Sequence, residues 1–113
     1  MVQPQVLAAR ELQHWLAGDL PPLLVDVREP AELVLAALPQ VCHLPLSRSQ
    51  EWLPQLEDLL PRDRDLVIVC HAGVRSWNFG CFLTERLGYE RVWNLSGGID
   101  AWSCEVDPSV PRY

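Results

Sequence analysis

The sequence contains no lysine: all nine of its basic residues are arginine, and fifteen acidic residues bring the net charge to −6. The arginines are scattered and form no basic run that could bind phosphate groups. The chain also lacks an apolar stretch approaching the roughly 20 residues of a membrane span. We therefore expect no nucleic-acid partner and no membrane partner.

The beginning of the chain lacks the features of a signal peptide. Met-Val-Gln-Pro has no positive region followed by an apolar core. This absence predicts a cytoplasmic protein, in which a structural disulfide is disfavoured because thiols stay reduced.

Closely spaced cysteines are missing as well. The four cysteines form no Cys-X-X-Cys pair and match no zinc-site spacing; they are Cys42, Cys70, Cys81 and Cys104. We expect no metal and no cofactor. Cys42 and Cys81 are predicted to be buried and inert, and Cys104, in the less regular C-terminal region, is the candidate for a resolving thiol.

The chain of 113 residues, 49% of them hydrophobic, predicts one packed domain over residues 1–113. Short apolar runs alternate with helical periodicity, which is typical of an α/β fold with a parallel sheet and helices on both faces. About five strands are predicted, at 6–7, 23–26, 41–44, 66–69 and 91–94. Helices are predicted at 8–16, 30–37, 49–60 and 76–87, with a short helical turn at 97–102. Residues 106–113 form a proline-rich tail.

The most informative stretch runs from Asp65 to Ser76. The apolar residues 66–69 read as a strand buried on both faces, and Cys70 follows at the carboxyl end, where α/β sheets place their ligands. The next helix N-terminus, the loop N–H groups and Arg75 all favour a thiolate. Cys70 is therefore predicted to be a nucleophile. The structural alternative, a small hydrophobe that ends a core strand, leaves Gly73, Arg75 and Ser76 unexplained.

The pattern Cys-X-X-Gly-X-Arg-Ser after a buried strand resembles the active-site loop of the rhodanese-like sulfurtransferases, in their single-domain form. Two more segments, residues 26–32 and residues 95–102, carry this resemblance over nearly the whole chain. The resemblance implies the rhodanese-like fold. It also implies a two-step reaction in which Cys70 takes sulfur from a small donor such as thiosulfate, forms a persulfide, and passes the sulfur to a thiol or protein acceptor.

The resemblance implies roles for the Cys70 loop, by which we mean residues 70–75. Its substrate-binding residues are His71, Ala72, Gly73, Val74 and Arg75. Gly73 lets the backbone curl around the sulfur, and Arg75 orients an anionic donor. A structural alternative pairs Arg75 with Asp26 or Glu29. His71 reads as an exposed loop residue rather than a base.

Five residues are expected to support the site without reacting. Asp26 and Arg28 are predicted to cap and to form an ion pair beneath the loop, and Ser76 begins the helix that follows it. Gly97 and Gly98 are predicted to allow close backbone approach beside the loop.

Two other functions remain possible on this fold. One is a non-catalytic interaction module, although inactive members of the family typically lose the cysteine. The other is a cysteine phosphatase or arsenate reductase, whose loop carries one more residue between cysteine and arginine. The six-residue loop here favours sulfur. The chain also departs from the family: Ala36-Ala37-Leu38-Pro39-Gln40-Val41 replaces Gly-His-Ile-Pro-Gly-Ala, and Phe79 replaces a small residue.

Overall fold

Five parallel strands form one sheet in the computed structural model, which describes residues 2–113. The strands are β1 (Gln5–Leu7), β2 (Leu23–Asp26), β3 (Cys42–His43), β4 (Leu66–Val69) and β5 (Val92–Leu95). Their spatial order is β1-β5-β4-β2-β3, so β4 lies in the middle with β2 and β5 beside it. The rhodanese-like arrangement predicted from the sequence, a five-stranded parallel sheet, is confirmed.

Six α-helices accompany the sheet in residues 2–113. They are α1 (Ala9–Leu16), α2 (Pro30–Leu35), α3 (Ser49–Trp52), α4 (Leu56–Leu59), α5 (Val74–Cys81) and α6 (Gly98–Glu105). A π-helical segment, Phe82–Arg86, continues α5. Within these residues, every helix is too short or too polar to span a lipid bilayer.

The sheet separates two hydrophobic cores, because successive side chains of each strand point to opposite faces. The first core contains Leu66, Ile68, Phe79 and Leu83, and the second contains Leu12, Val67, Val69 and Ile99. Helix α5 thus covers one face, and α1 and α6 cover the other. All four residues of β4 are fully buried, which explains the continuous apolar run in the sequence.

The prediction of one continuous helix over residues 49–60 is wrong. The segment is divided into α3, a 3₁₀ turn at Leu53–Gln55, and α4. Pro54 explains the break, since proline has no N–H to donate and its ring clashes with the preceding turn of an α-helix. Trp52 and Leu56 still reach the core.

Helix α6 is longer than the predicted turn at 97–102. It continues to Glu105, and beyond the predicted turn Ser103 is buried and Val106 packs against the second core. Helix α5 also begins earlier than predicted, at Val74 rather than Ser76. This start places the first turn of α5 directly within the Cys70 loop.

Gln40 has a φ of 59°, in the left-handed region, and it is the one described non-glycine residue there. It stands where the family pattern has the second glycine of Gly-His-Ile-Pro-Gly-Ala. A side chain in this conformation costs roughly 1 kcal/mol or more. The departure from the family pattern therefore adds backbone strain between α2 and β3.

Candidate active site

Cys70 lies at the carboxyl end of the central strand and is 1% exposed. Its Sγ accepts a hydrogen bond from the backbone N–H of Gly73 at 3.1 Å. The Ser76 Oγ lies 3.2 Å from the same sulfur. Because α5 begins at Val74, the sulfur faces the positive end of the helix dipole. The Gly73 N–H and the N-terminus of α5 can therefore stabilise an anion on the sulfur.

Gly73 gives the loop its sharp turn. Its φ is 103°, and a Cβ added there would lie 3.2 Å from the backbone nitrogen of Gly97. The conformation and the close approach both favour glycine. This turn is what brings the Gly73 N–H back to the sulfur three residues earlier.

The N-terminus of α6 packs directly against the Cys70 loop. The N–H of Ile99 donates to the carbonyl of Cys70 at 2.9 Å, and the N–H of Asp100 donates to the carbonyl of His71 at 3.1 Å. A Cβ on Gly98 would lie 2.4 Å from both carbonyl oxygens. A side chain cannot fit there, so Gly98 permits the two helix N–H groups to hold the loop.

Ser76 links the sulfur to the neighbouring strand. Its hydroxyl is 2.5 Å from Oδ1 of Asn94 on β5, and Nδ2 of Asn94 donates to the carbonyl of Gly73 at 3.1 Å. Ser76 and Asn94 are both buried. One strand residue thus contacts both the loop and the first turn of α5.

Asp26 and Arg28 form a buried ion pair after strand β2. Both side chains are fully buried, and Arg28 Nη2 lies 2.8 Å from Asp26 Oδ2. Burial alone would lower the pKa of Arg28, but hydrogen bonds to Asp26 and to Tyr113 outweigh it and raise that pKa. Removing either partner would leave the other charge buried and unpaired, which is strongly destabilising. The Arg28 N–H also donates to Asp26, so the pair holds the backbone next to the loop.

Arg75 pairs with Glu32 of α2, and the predicted partners Asp26 and Glu29 are wrong. Arg75 Nη1 and Nη2 lie 2.9 and 3.0 Å from the two Glu32 carboxylate oxygens. Asp26 is occupied by Arg28, and Glu29 contacts the hydroxyl of Ser47. Hydrogen bonding to Glu32, partly opposed by burial, raises the pKa of Arg75. The Arg75 side chain is 36% exposed and stays accessible to an anion from solvent.

Tyr113 of the C-terminal tail returns to this site. Its ring stacks on His71 with centroids 4.1 Å apart. Its hydroxyl accepts from Arg28 Nη1 at 2.9 Å and donates to Glu32 at 3.0 Å. His71 is accordingly half-buried, so the prediction of an exposed loop residue is wrong. The remaining loop residues, Ala72 and Val74, are exposed.

The comparisons with known proteins show the family of this chain. Residues 8–105 match the family model described as the rhodanese-like domain. The chain belongs to the rhodanese-like family. It is 39% identical over 102 residues to a protein of Allochromatium vinosum named sulfurtransferase, a match that covers 90% of this chain and 91% of that protein.

Other members of the rhodanese-like family differ in length. The chain is 39% identical over 90 residues to the rhodanese-like/PpiC domain-containing protein 12, chloroplastic, of Arabidopsis thaliana, covering 80% of this chain and 30% of that protein. The crystal structure of a rhodanese-like domain protein from Staphylococcus aureus superimposes with a TM-score of 0.74 at 28% identity. That match covers 87% of this chain and 90% of the other.

The other cysteines of this rhodanese-like chain are more accessible than predicted. Cys42 and Cys81 are half-buried rather than buried, and Cys42 lies at the margin of the first core. Burial raises the pKa of the Cys42 thiol, and burial together with the nearby Glu85 raises that of Cys81. Cys104 is exposed and lies in α6, near the end opposite the one that contacts the loop, so the prediction that it lies in a less regular region is wrong.

Three residues of the site were not assigned from the sequence. Glu32 was placed in its helix but not with Arg75, and Asn94 was assigned only to a strand. Asn94 carried a usable signal, since it is a polar residue near the carboxyl end of a buried strand. Tyr113 carried none, because 42 residues separate it from His71 in the sequence.

Proposed function

We propose that this rhodanese-like chain is a sulfurtransferase that carries sulfur as a persulfide on Cys70. The family and the relatives named sulfurtransferases support this class of activity. The observation that carries the proposal for Cys70 is the position of its sulfur. It lies at the N-terminus of α5, where it accepts a hydrogen bond from the Gly73 N–H.

The first step of the proposed reaction is attack on a small donor such as thiosulfate. The Cys70 thiolate bonds to the outer sulfur of thiosulfate as the sulfur–sulfur bond of the donor breaks, and sulfite leaves with the bonding electron pair. In the second step, an acceptor thiolate attacks the outer sulfur of the persulfide. Cys70 leaves as the thiolate, so the enzyme is regenerated without a cofactor.

The charges around the loop suit an anionic intermediate. The helix dipole of α5 and the Gly73 N–H favour negative charge on the sulfur. Arg75 adds a positive charge that Glu32 orients but does not bury. We assign to Arg75 the binding of the donor, and to His71, Ala72, Gly73 and Val74 the walls of the loop around the transferred sulfur.

The test is the transfer of sulfur from thiosulfate to cyanide, measured as thiocyanate formation. Cys70→Ser is expected to abolish turnover, because a hydroxyl stays protonated and is a poor nucleophile towards sulfur. Cys104→Ser, which removes an exposed thiol far from the loop, is the matched control and is expected to keep turnover. Transfer by Cys70→Ser at the rate of the unmodified protein would overturn the assignment.

The two alternative functions give different results in parallel assays. A phosphatase on this fold would hydrolyse aryl phosphates in a Cys70-dependent way, whereas the six-residue loop predicts negligible hydrolysis. An interaction module would show neither reaction. Sulfur transfer with negligible phosphate hydrolysis separates the proposed function from both.

A further inference from the structure

The side chain of Asn94 bonds to Gly73 of the loop and to Ser76 of α5. Its Nδ2 donates to the Gly73 carbonyl at 3.1 Å, and its Oδ1 lies 2.5 Å from Ser76 Oγ. The side chain is 6% exposed, so water does not readily replace these partners. Asn94 therefore acts on the two groups that contact the Cys70 sulfur, Gly73 and Ser76.

The orientation of the Asn94 amide follows from its partners. A carbonyl oxygen accepts hydrogen bonds and cannot donate, so the Gly73 carbonyl requires the NH₂ group of Asn94. The amide oxygen must then face Ser76 and requires a donor there. The Ser76 hydroxyl has one hydrogen, and this arrangement directs it to Asn94.

The direction of the Ser76 hydrogen also affects the contact between Ser76 and the Cys70 sulfur. With its hydrogen directed to Asn94, Ser76 presents an oxygen lone pair to the Cys70 sulfur 3.2 Å away. A thiol satisfies this contact by donating its S–H to the oxygen. A thiolate does not, unless the Ser76 hydroxyl turns away from Asn94 and donates to the sulfur.

We propose that Asn94 is a positioning residue that holds the Ser76 hydroxyl away from Cys70 and thereby favours the resting thiol. Thiolate formation then releases the thiol proton to solvent, while the Ser76 proton stays on its oxygen and turns from Asn94 to the sulfur. The amide oxygen of Asn94 is left without a donor. This proposal rests on the proposed function only in taking the thiolate as the reactive form.

Two substitutions separate this role from simple support of the loop. Asn94→Leu removes the acceptor, so the Ser76 hydroxyl is free to donate to a thiolate. Asn94→Asp keeps an acceptor and adds negative charge when ionised. Both lose the amide donor to Gly73. A residue that merely supports the loop would therefore shift the profile to higher pH in Asn94→Leu as well as in Asn94→Asp, because the Gly73 N–H that contacts the sulfur would be held less firmly.

Other charges near the loop are unchanged in these variants. His71 and Arg75 belong to the loop itself, and the Asp26–Arg28 pair follows β2. Glu32 of α2, Asp100 of α6 and Tyr113 of the tail complete the set. Differences between variants therefore report the change at position 94.

The experiment is the rate of Cys70 alkylation by iodoacetamide as a function of pH, followed by peptide mass spectrometry so that Cys104 does not interfere. Asn94→Leu is expected to move the profile about one pH unit lower, which is about tenfold faster alkylation below both midpoints. The midpoint of the Asn94→Asp profile is expected to lie at the same pH as that of the wild type or at a higher pH. The proposal would be overturned by an Asn94→Leu midpoint at the wild-type pH or higher, or by an Asn94→Asp midpoint at a lower pH than that of the wild type.

A double-mutant cycle tests the route through Ser76. In a Ser76→Ala background the hydroxyl is gone, so adding Asn94→Leu is expected to leave the profile unchanged. The same shift in both backgrounds would contradict the proposal. Circular dichroism checks folding, and Asn94→Ala replaces Asn94→Leu, with the same expected direction, if the larger side chain is not accommodated. Alkylation needs no sulfur donor, so its outcome is independent of whether Cys70 carries sulfur.

Discussion

Glu32 and Arg75 form a two-point ion pair between α2 and the Cys70 loop, with nitrogen–oxygen distances of 2.9 and 3.0 Å. The pair fixes the guanidinium plane beside the loop, because a planar fork matches a carboxylate at two points. Tyr113 also donates to Glu32. The position of the one loop arginine thus depends on a helix and a tail that are distant in the sequence.

Arg75→Ala is expected to raise the KM for thiosulfate about tenfold or more, with a smaller effect on kcat. The reason is that one charge-assisted contact is worth about 1.5–3 kcal/mol, and the anionic donor has left before the second step. Arg75→Lys keeps the charge but loses the two-point geometry, so its KM should lie between the KM of the wild type and that of Arg75→Ala.

Arg64→Ala is the matched control for the loss of one positive charge. Arg64 is exposed and bonds to the Pro21 carbonyl at the opposite end of the sheet, so its removal should leave KM unchanged. Steady-state kinetics with varied thiosulfate measure both values. A loss confined to kcat in Arg75→Ala would contradict the donor-binding role.

Glu32→Gln is expected to lower the free energy of unfolding at neutral pH by about 1 kcal/mol or less. Burial acts to raise the pKa of Glu32, but hydrogen bonds from Arg75 and Tyr113 outweigh it and lower that pKa below 4.5. A lowered pKa in the folded state contributes stability above pH 4.5 that is lost as pH falls through the folded value.

Urea unfolding of the wild type and Glu32→Gln at several pH values measures this dependence. The difference between the two proteins should be constant near neutral pH and should shrink below pH 4.5. A difference that grows on acidification would show that the Glu32 carboxylate does not stabilise the fold through Arg75 and Tyr113.

Gln40→Gly is expected to stabilise the protein by up to about 1 kcal/mol. Glycine adopts the left-handed conformation without the steric cost that a side chain incurs, although its greater freedom in the unfolded chain offsets part of the gain. Gln13→Gly in α1 is the matched control and should destabilise by about 1 kcal/mol, since its backbone is helical. Thermal unfolding of both variants measures the two signs, and destabilisation by Gln40→Gly would show that the site is unstrained.

The sequence was sufficient for the sheet and for the Cys70 loop because both rest on local patterns. The run at 66–69 marked the central strand, and residues 70–76 place the proposed nucleophile, a turn and a helix start consecutively. The order of the strands was not predicted, because it depends on pairing between segments that are distant in the sequence. Chemistry that is contiguous in the chain is visible without a structure.

The interactions that position the loop were harder to predict, because they join distant segments. The partner of Arg75 lies 43 residues away, and Asn94 lies 18 residues from Ser76. Both contacts depend on where the side chains point, and the periodicity of apolar residues in the sequence does not predict this. The break at Pro54 was missed although proline is itself a local signal, because the apolar spacing of the segment favoured one continuous helix.

The proposal that Cys70 carries the transferred sulfur is tested by the intact mass of the protein after incubation with thiosulfate. We expect an added mass of one sulfur atom that maps to the Cys70 peptide, that cyanide or a reducing thiol removes, and that is absent in Cys70→Ser. An adduct of the same mass on Cys70→Ser, or one that maps to Cys104, would contradict it.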